Sequence, residues 1–226
     1  MKIAELVLKT DRLHRVDYFY RNVLELPVEE EGLGSITFRI GDSLLTFERV
    51  PETGDSPFYH FAINIPPNLF DKAKEWLAQR TPLLNSDDGD DEFQFEAMDA
   101  RAFYFRDPGH NIGELIAREA VSESSASSFN AGQVLGISEI GLPVQDVPQT
   151  AQQLCDTFSL PVYIPFSEGI GAVGNAEGML ILVSEERPWI PAGTPAEIHP
   201  LRVMLRGKVS GNLTLEDGFY LLSMDD

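Results

Sequence analysis

Among the residues able to do chemistry, those that end the stretch FRDPGHNIGEL, residues 105–115, are the most pointedly placed. A proline, two glycines, an asparagine and a histidine lie between apolar residues, and the run lands on a single glutamate, Glu114. Asp107 and Asn111 are types that hydrogen-bond to nearby backbone, Pro108 fixes φ, and Gly109 permits a positive φ. The segment therefore reads as a tight turn that reverses the chain and delivers Glu114 on the strand that follows. His110 lies in the turn itself and reads as exposed, and His14 falls on the surface side of a helical stretch. Cys155 is the one cysteine, which excludes an internal disulfide framework and a zinc site built on cysteines. The acidic run DDGDDE at 87–92 lacks the spacing of a calcium loop and reads as a solvated loop. GIGAVG at 169–174 superficially echoes a dinucleotide loop, but no helix follows it and the glycine spacing fails.

The elements that must position Glu114 follow from hydrophobic periodicity, near two for strands and near 3.6 for helices. Residues 3–9 read as a strand. Asp11 then caps a helix to about Leu24, with Leu13, Val16, Phe19, Tyr20 and Val23 as its apolar stripe. Three short strands follow, over 26–31, 35–40 and 44–50. The order strand, helix, three strands then recurs, with a strand at 59–65, a helix capped by Asn68, and strands near 81–84, 93–98, 102–105 and 113–117. A Ser/Ala/Gly-rich segment, VSESSASSFNAG at 121–132, reads as a linker. After it the pattern returns from SEIGLPV onward, with a helix from about Pro148 to Phe158. The last stretch gives strands without an intervening helix, so the fourth unit reads as truncated.

Composition narrows the partners. The chain has 226 residues, 43% of them apolar, enough for a sizeable core. Its 36 acidic residues against 17 basic give a formal charge of −19, which repels phosphate backbones and argues against nucleic acid. No apolar run approaches the roughly 20 residues of a membrane-spanning helix. The N-terminus has charges within its apolar stretch and no small-residue cleavage site. The expectation is a cytoplasmic protein, monomer or homodimer, with a small-molecule ligand and no nucleic-acid or membrane partner.

The strand–helix–three-strand unit used in pairs, with FYFRDPGHNIGEL closing the second, resembles the vicinal oxygen chelate superfamily of glyoxalases, extradiol dioxygenases, fosfomycin-modifying enzymes and metal-free bleomycin-binding proteins. The resemblance implies an α+β fold of paired βαβββ modules forming a cup-shaped mixed β-sheet. It implies a complete two-module domain at 1–118, a linker at 119–133, and a second, truncated domain at 134–226. It also implies divalent-metal ligands projecting into the cup from the first and last strands of each module. Residue by residue, these are Glu5, His60 and Glu114, with Thr46 or Glu48 on the fourth strand, and Glu114 also as a catalytic proton carrier. One imidazole and two carboxylates suit Fe²⁺, Mn²⁺, Ni²⁺ or Zn²⁺. Glu139 and His199 hold the corresponding positions of the second domain, but no Glu-Leu motif closes its last module. Ligands there would need Glu216 or Asp217 in an unexpected place. The resemblance implies either a metal-dependent lyase, isomerase or dioxygenase acting on a small oxygen-bearing molecule, or a metal-free small-molecule binder. From charge alone, micromolar protein should give no salt-sensitive mobility shift with duplex DNA at physiological salt; such a shift would contradict the reading.

Overall fold

The computed structural model describes residues 1–52, 56–124, 126–167 and 169–225. The first unit comprises β1 (Lys2–Thr10), α1 (Leu13–Tyr18) continued by a π-helical turn at Phe19–Val23, β2 (Val28–Glu31), β3 (Ser35–Ile40) and β4 (Ser43–Arg49). The second comprises β5 (His60–Ile65), α2 (Phe70–Ala78), β6 (Leu83–Leu84), β7 (Phe93–Phe95), β8 (Ala100–Arg106) and β9 (Ile112–Arg118). The third has β10 (Gly136–Val144), α3 (Val147–Phe158), β11 (Val162–Ser167), β12 (Ile170–Asn175) and β13 (Gly178–Ser184). The fourth has β14 (Leu201–Arg206), β15 (Gly211–Leu215) and β16 (Tyr220–Asp225), with no helix between its first two strands. Among the described residues, no helix is long and apolar enough to cross a membrane.

The helices lie where the periodicity puts them, but their starts differ. Arg12, not Asp11, precedes α1, and the Asp11 carboxylate accepts a hydrogen bond from Ser56 Oγ at 2.6 Å. Asn68 does not cap α2; its amide donates to the Ser124 carbonyl at 2.7 Å and accepts from the Ser124 N–H at 3.1 Å. Both side chains found a longer-range partner. Asp146, in contrast, caps α3 by accepting from Gln149 N at 2.9 Å.

Strand pairing joins the units in an unexpected way. One sheet runs β15-β16-β14-β1-β4-β3-β2 and the other β11-β12-β13-β10-β5-β9-β8-β6, with β7 also on β8. The seams between units are antiparallel: β1 pairs with β14, and β5 with β10. The first unit thus shares a sheet with the fourth, and the second with the third. The division into 1–118 and 134–226 does not separate the sheets. Nor is 119–133 a bare tether: Phe129 is buried with its ring 5.4 Å from that of Trp76, and Lys72 Nζ donates to the Ser127 carbonyl at 2.8 Å. Ser125 of that segment lies outside the described residues.

One core cluster takes in Ile3, Leu6 and Leu8 of β1, Ile137, Ile140 and Leu142 of β10, and the apolar stripes of all three helices. It holds the two sheets together on one face of each. Ser43 Oγ stitches them further, donating to the Ile3 carbonyl at 2.6 Å and accepting from Ile137 N at 2.9 Å. Gly41, at φ +52°, lets the β3–β4 turn press on residue 135, since a Cβ there would come within 2.3 Å of the Leu135 backbone. A second apolar cluster, with Ala62, Tyr104, Ile112 and Ile181, lines the other face of the nine-stranded sheet.

A fragment ending at residue 118 would leave one edge of β1 and one of β5 without a ladder partner, an aggregation hazard. Residues 1–118 alone should therefore lack a cooperative unfolding transition. Mixing them with 119–226 should restore one, detectable by circular dichroism and size-exclusion chromatography. A cooperatively folded, monomeric 1–118 would contradict the seams.

Candidate metal centre

The turn in FRDPGHNIGEL is built as a closed set of hydrogen bonds. Asn111 N and Nδ2 donate to the Asp107 carboxylate at 2.9 and 2.8 Å, and buried Tyr20 donates to it at 2.8 Å. Burial raises the Asp107 pKa, while the bonds from Asn111 and Tyr20 oppose that rise. Asn111 Oδ1 in turn accepts from Tyr59 N at 2.9 Å, and Ile112 N donates to the Tyr59 carbonyl at 2.8 Å. The turn therefore fixes the register of β9 against β5, with His60 opposite Ile112 and Ala62 opposite Glu114. The positive φ falls on His110, at 67°, and not on Gly109. Gly109 is needed for room, because a Cβ would meet Val16 Cγ2 and Asn111 Nδ2 at 3.0 Å.

On the other side of β5, the ladder with β10 places Glu139 opposite Ala62 after an irregularity between Ile137 and Glu139. Ser138 is the extra residue, and the bulge turns Glu139 onto the face that carries Ala62. Glu114 and Glu139 thus flank a residue whose side chain is one methyl group. His60 lies two residues along β5 on the same face. Ligand atoms of His60, Glu114 and Glu139 all lie within 4.8 Å of one another, and none of the three residues is more than 6% exposed.

The sequence-derived set of Glu5, His60 and Glu114 is not what converges. His60 and Glu114 come together, but Glu5 lies in the seven-stranded sheet, where it accepts a hydrogen bond from Thr46 Oγ1 at 3.1 Å. Its position is equivalent to that of Glu139: each follows an irregularity in the first strand of its unit. In that sheet Met204 stands where Ala62 does, Ser223 where Glu114 does and Arg202 where His60 does. One carboxylate remains, with no imidazole. Glu48, the other fourth-strand candidate, is paired to Arg202 at 2.6 Å and to Lys9 at 2.5 Å, and these bonds hold its pKa down at about 2. His199 does not occupy a ligand position; its ring packs edge-on to Phe58 and its Nε2 is 3.2 Å from Glu197. Glu216 and Asp217 lie in the turn before β16. Among the described residues, no other group of three or more ligand-type side chains comes together in this way.

The donors are well prepared. His60 Nδ1 is 3.2 Å from the Ile112 carbonyl, which can only accept, so Nδ1 carries the proton and Nε2 presents its lone pair. Nε2 lies 3.4 Å from Glu114 Oε2. Burial lowers the His60 pKa, against the pull of Glu139 and the Ile112 carbonyl. Burial, then the Glu139 charge, raises that of Glu114 well above the ordinary range; Arg118 and a hydrogen bond from Tyr104 oppose it. Both directions favour the neutral forms of these groups. Arg118, wholly buried at the end of β9, donates through Nη2 to Glu139 and through Nη1 to Asn64 Oδ1 at 2.6 Å. Its Nε makes no hydrogen bond among the described residues. No motif pointed to Arg118, because a lone arginine ending a strand carries no sequence signal.

Neither a protein-family model nor a curated protein sequence matches the chain. Solved structures do. A crystal structure described as a "putative dioxygenase" from Bacillus subtilis subsp. subtilis str. 168 superposes with a TM-score of 0.65 at 14% identity, covering 99% of this chain and 84% of that one. Lactoylglutathione lyase from Agrobacterium tumefaciens matches at TM-score 0.41 and 20% identity, over 51% of this chain and 92% of that one. A glyoxalase/bleomycin resistance protein/dioxygenase from Nocardioides matches at 0.43 and 20%, over 56% and 90%. The chain has the fold of the vicinal oxygen chelate superfamily. Fold does not by itself select the activity.

The raised Glu114 pKa has a measurable consequence. A carboxyl that holds its proton more tightly when folded contributes fully below its unfolded pKa, near 4.5, and less as pH rises towards the folded value. Glu114→Gln removes that loss. Metal-free Glu114→Gln protein should melt with the wild type near pH 4 and above it by a few degrees at pH 8, since roughly 2–4 °C accompanies each kcal/mol in a chain of this size. A lower melting temperature at pH 8 would refute the burial argument.

Proposed function

We propose that the protein is a divalent-metal-dependent enzyme of the glyoxalase and dioxygenase type, acting on a small oxygen-bearing molecule. The observation that carries this reading is the convergence of His60, Glu114 and Glu139 in a buried site with the imidazole Nε2 directed at the carboxylates. The donor set fits a divalent ion: one neutral imidazole and two carboxylates, which suits Fe²⁺, Mn²⁺, Ni²⁺ or Zn²⁺. When bound, such an ion supplies Lewis acidity, polarising neighbouring oxygens of a substrate. The residues do the rest. The Ile112 carbonyl fixes the His60 tautomer. Arg118 holds Glu139 Oε1 and leaves the other oxygen for coordination. Burial disposes Glu114 to hold a proton in the metal-free site, and it would give that proton up on binding an ion.

One observation supports a metal-free small-molecule binder instead. Arg118 already gives Glu139 a charge partner, and Glu114 is disposed to hold a proton, so the cluster is close to neutral without an ion. Element analysis of protein purified without added metal or chelator, followed by melting curves with added Mn²⁺, Ni²⁺ or Zn²⁺, separates the readings. At a hundredfold excess over Kd, binding should add about 2.7 kcal/mol, or roughly 5–11 °C. His60→Ala, Glu114→Gln and Glu139→Gln should each abolish that rise, while Glu5→Gln and His199→Ala should leave it intact. No rise with any of the metals would favour the binder.

A further inference from the structure

The chain between β13 and β14 bears on how the site is reached. Residues 186–197 form a strap whose backbone hydrogen bonds are largely its own. Glu186 N and Trp189 N donate to the Ala196 and Thr194 carbonyls at 2.8 and 2.9 Å, Ala196 N donates to the Arg187 carbonyl at 3.0 Å, and Pro188 bridges Pro195. A side-chain bond ties it to the cup: Arg106 Nη2 donates to Thr194 Oγ1 at 2.9 Å. The strap inserts one large side chain. Trp189 is 6% exposed, whereas its neighbour Ile190 is 58% exposed. The indole lies against His60, with ring centroids 4.8 Å apart, and joins the apolar cluster of Ala62, Tyr104, Ile112 and Ile181.

Gly141 makes that insertion fit. It lies two residues beyond Glu139 on the same face of β10. A Cβ on it would come within 2.4 Å of Trp189 Cη2, and its three nearest contacts are all indole atoms. The positive-φ residues do not include Gly141, so the space taken by the indole, not backbone conformation, accounts for the missing side chain. With the indole in place, the crevice beside His60 has a volume of about 10 Å³, room for about one water molecule. While the indole stands there, the crevice between His60 and Gly141 is too small for a substrate.

We propose that Trp189 is a gate and a specificity-determining residue: the strap 186–197 carries its indole out of the cup, and the space vacated takes a flat, uncharged ring of about indole's size. This rests on the reading of the cup as a ligand site. The indole shows what the walls accept, an aromatic ring tilted at 45° against His60 amid apolar side chains. A charged ring would lose its hydration there: Arg118 already pairs with Glu139, and an anion would meet two carboxyl groups.

Two variants test the gate. Trp189→Gly leaves an indole-shaped void, and free indole is the probe. The variant should bind indole saturably by calorimetry, at least tenfold more tightly than the wild type does. Gly141→Ala keeps the indole but denies it the site. In a Trp76→Phe background, its Trp189 emission should shift to the red and acrylamide quenching should rise at least twofold. A folded Trp189→Gly protein that binds indole no better than wild type overturns the proposal, as does unchanged emission and quenching in Gly141→Ala. Should Trp189→Gly fail to fold, the Gly141→Ala arm decides. Melting curves with metal, run on the same proteins, keep the two readings apart. A metal-induced rise without indole binding sinks the gate alone, and indole binding without a metal-induced rise sinks the metal centre alone.

Discussion

The antiparallel seam between β5 and β10 is the contact on which the candidate site depends. It brings strands from two different units side by side, and its register sets Glu139 across from Ala62. The parallel ladder on the other edge of β5 sets Glu114 across from the same residue. With strands about 4.8 Å apart, the two glutamates start roughly 10 Å from each other at the backbone. Their carboxylates meet because only a methyl group stands between them. A larger side chain at position 62 would hold them apart, and a one-residue slip in either ladder would turn a carboxylate to the opposite face.

Burying these groups is costly, and the structure meets the cost locally. A buried carboxylate without a partner is strongly unfavourable. Glu139 has Arg118, Glu114 has Tyr104 and the option of a proton, and His60 has the Ile112 carbonyl. A buried ion pair of this kind is weak evidence for stability, since desolvation offsets much of its attraction. Its retention is better understood through position: Arg118 holds one oxygen of Glu139 and so orients the other.

The two sheets show the same scaffold used twice with different results. In the nine-stranded sheet, small residues, two carboxylates and an imidazole line a cup closed over by Trp189. In the seven-stranded sheet, the equivalent row reads Glu5, Met204 and Ser223, with Arg202 paired to Glu48, around an open hollow of about 360 Å³. Fold symmetry supplies equivalent positions; the side chains on them decide which cup can gather charge.

Local chemistry was written in the sequence. Periodicity set out the repeated strand–helix–strand order, and the turn residues Asp107 and Asn111 announced the reversal that leads into the strand carrying Glu114. His60 and Glu114 were legible as a pair because their own unit holds both of their strands, in one parallel ladder. The third member of the cluster was not legible. Glu5 and Glu139 occupy equivalent places in similar strands, and nothing local distinguishes them. The choice between them lies in which unit pairs with which, a matter of long-range hydrogen bonding between strand edges that carry no sequence-specific label. Trp189 and Arg118 were hidden for the same reason: a strap has no periodicity and a lone arginine no motif. Only the tertiary structure, by seating β10 against β5 and folding the strap over the rim, placed Glu139, Arg118 and Trp189 around His60.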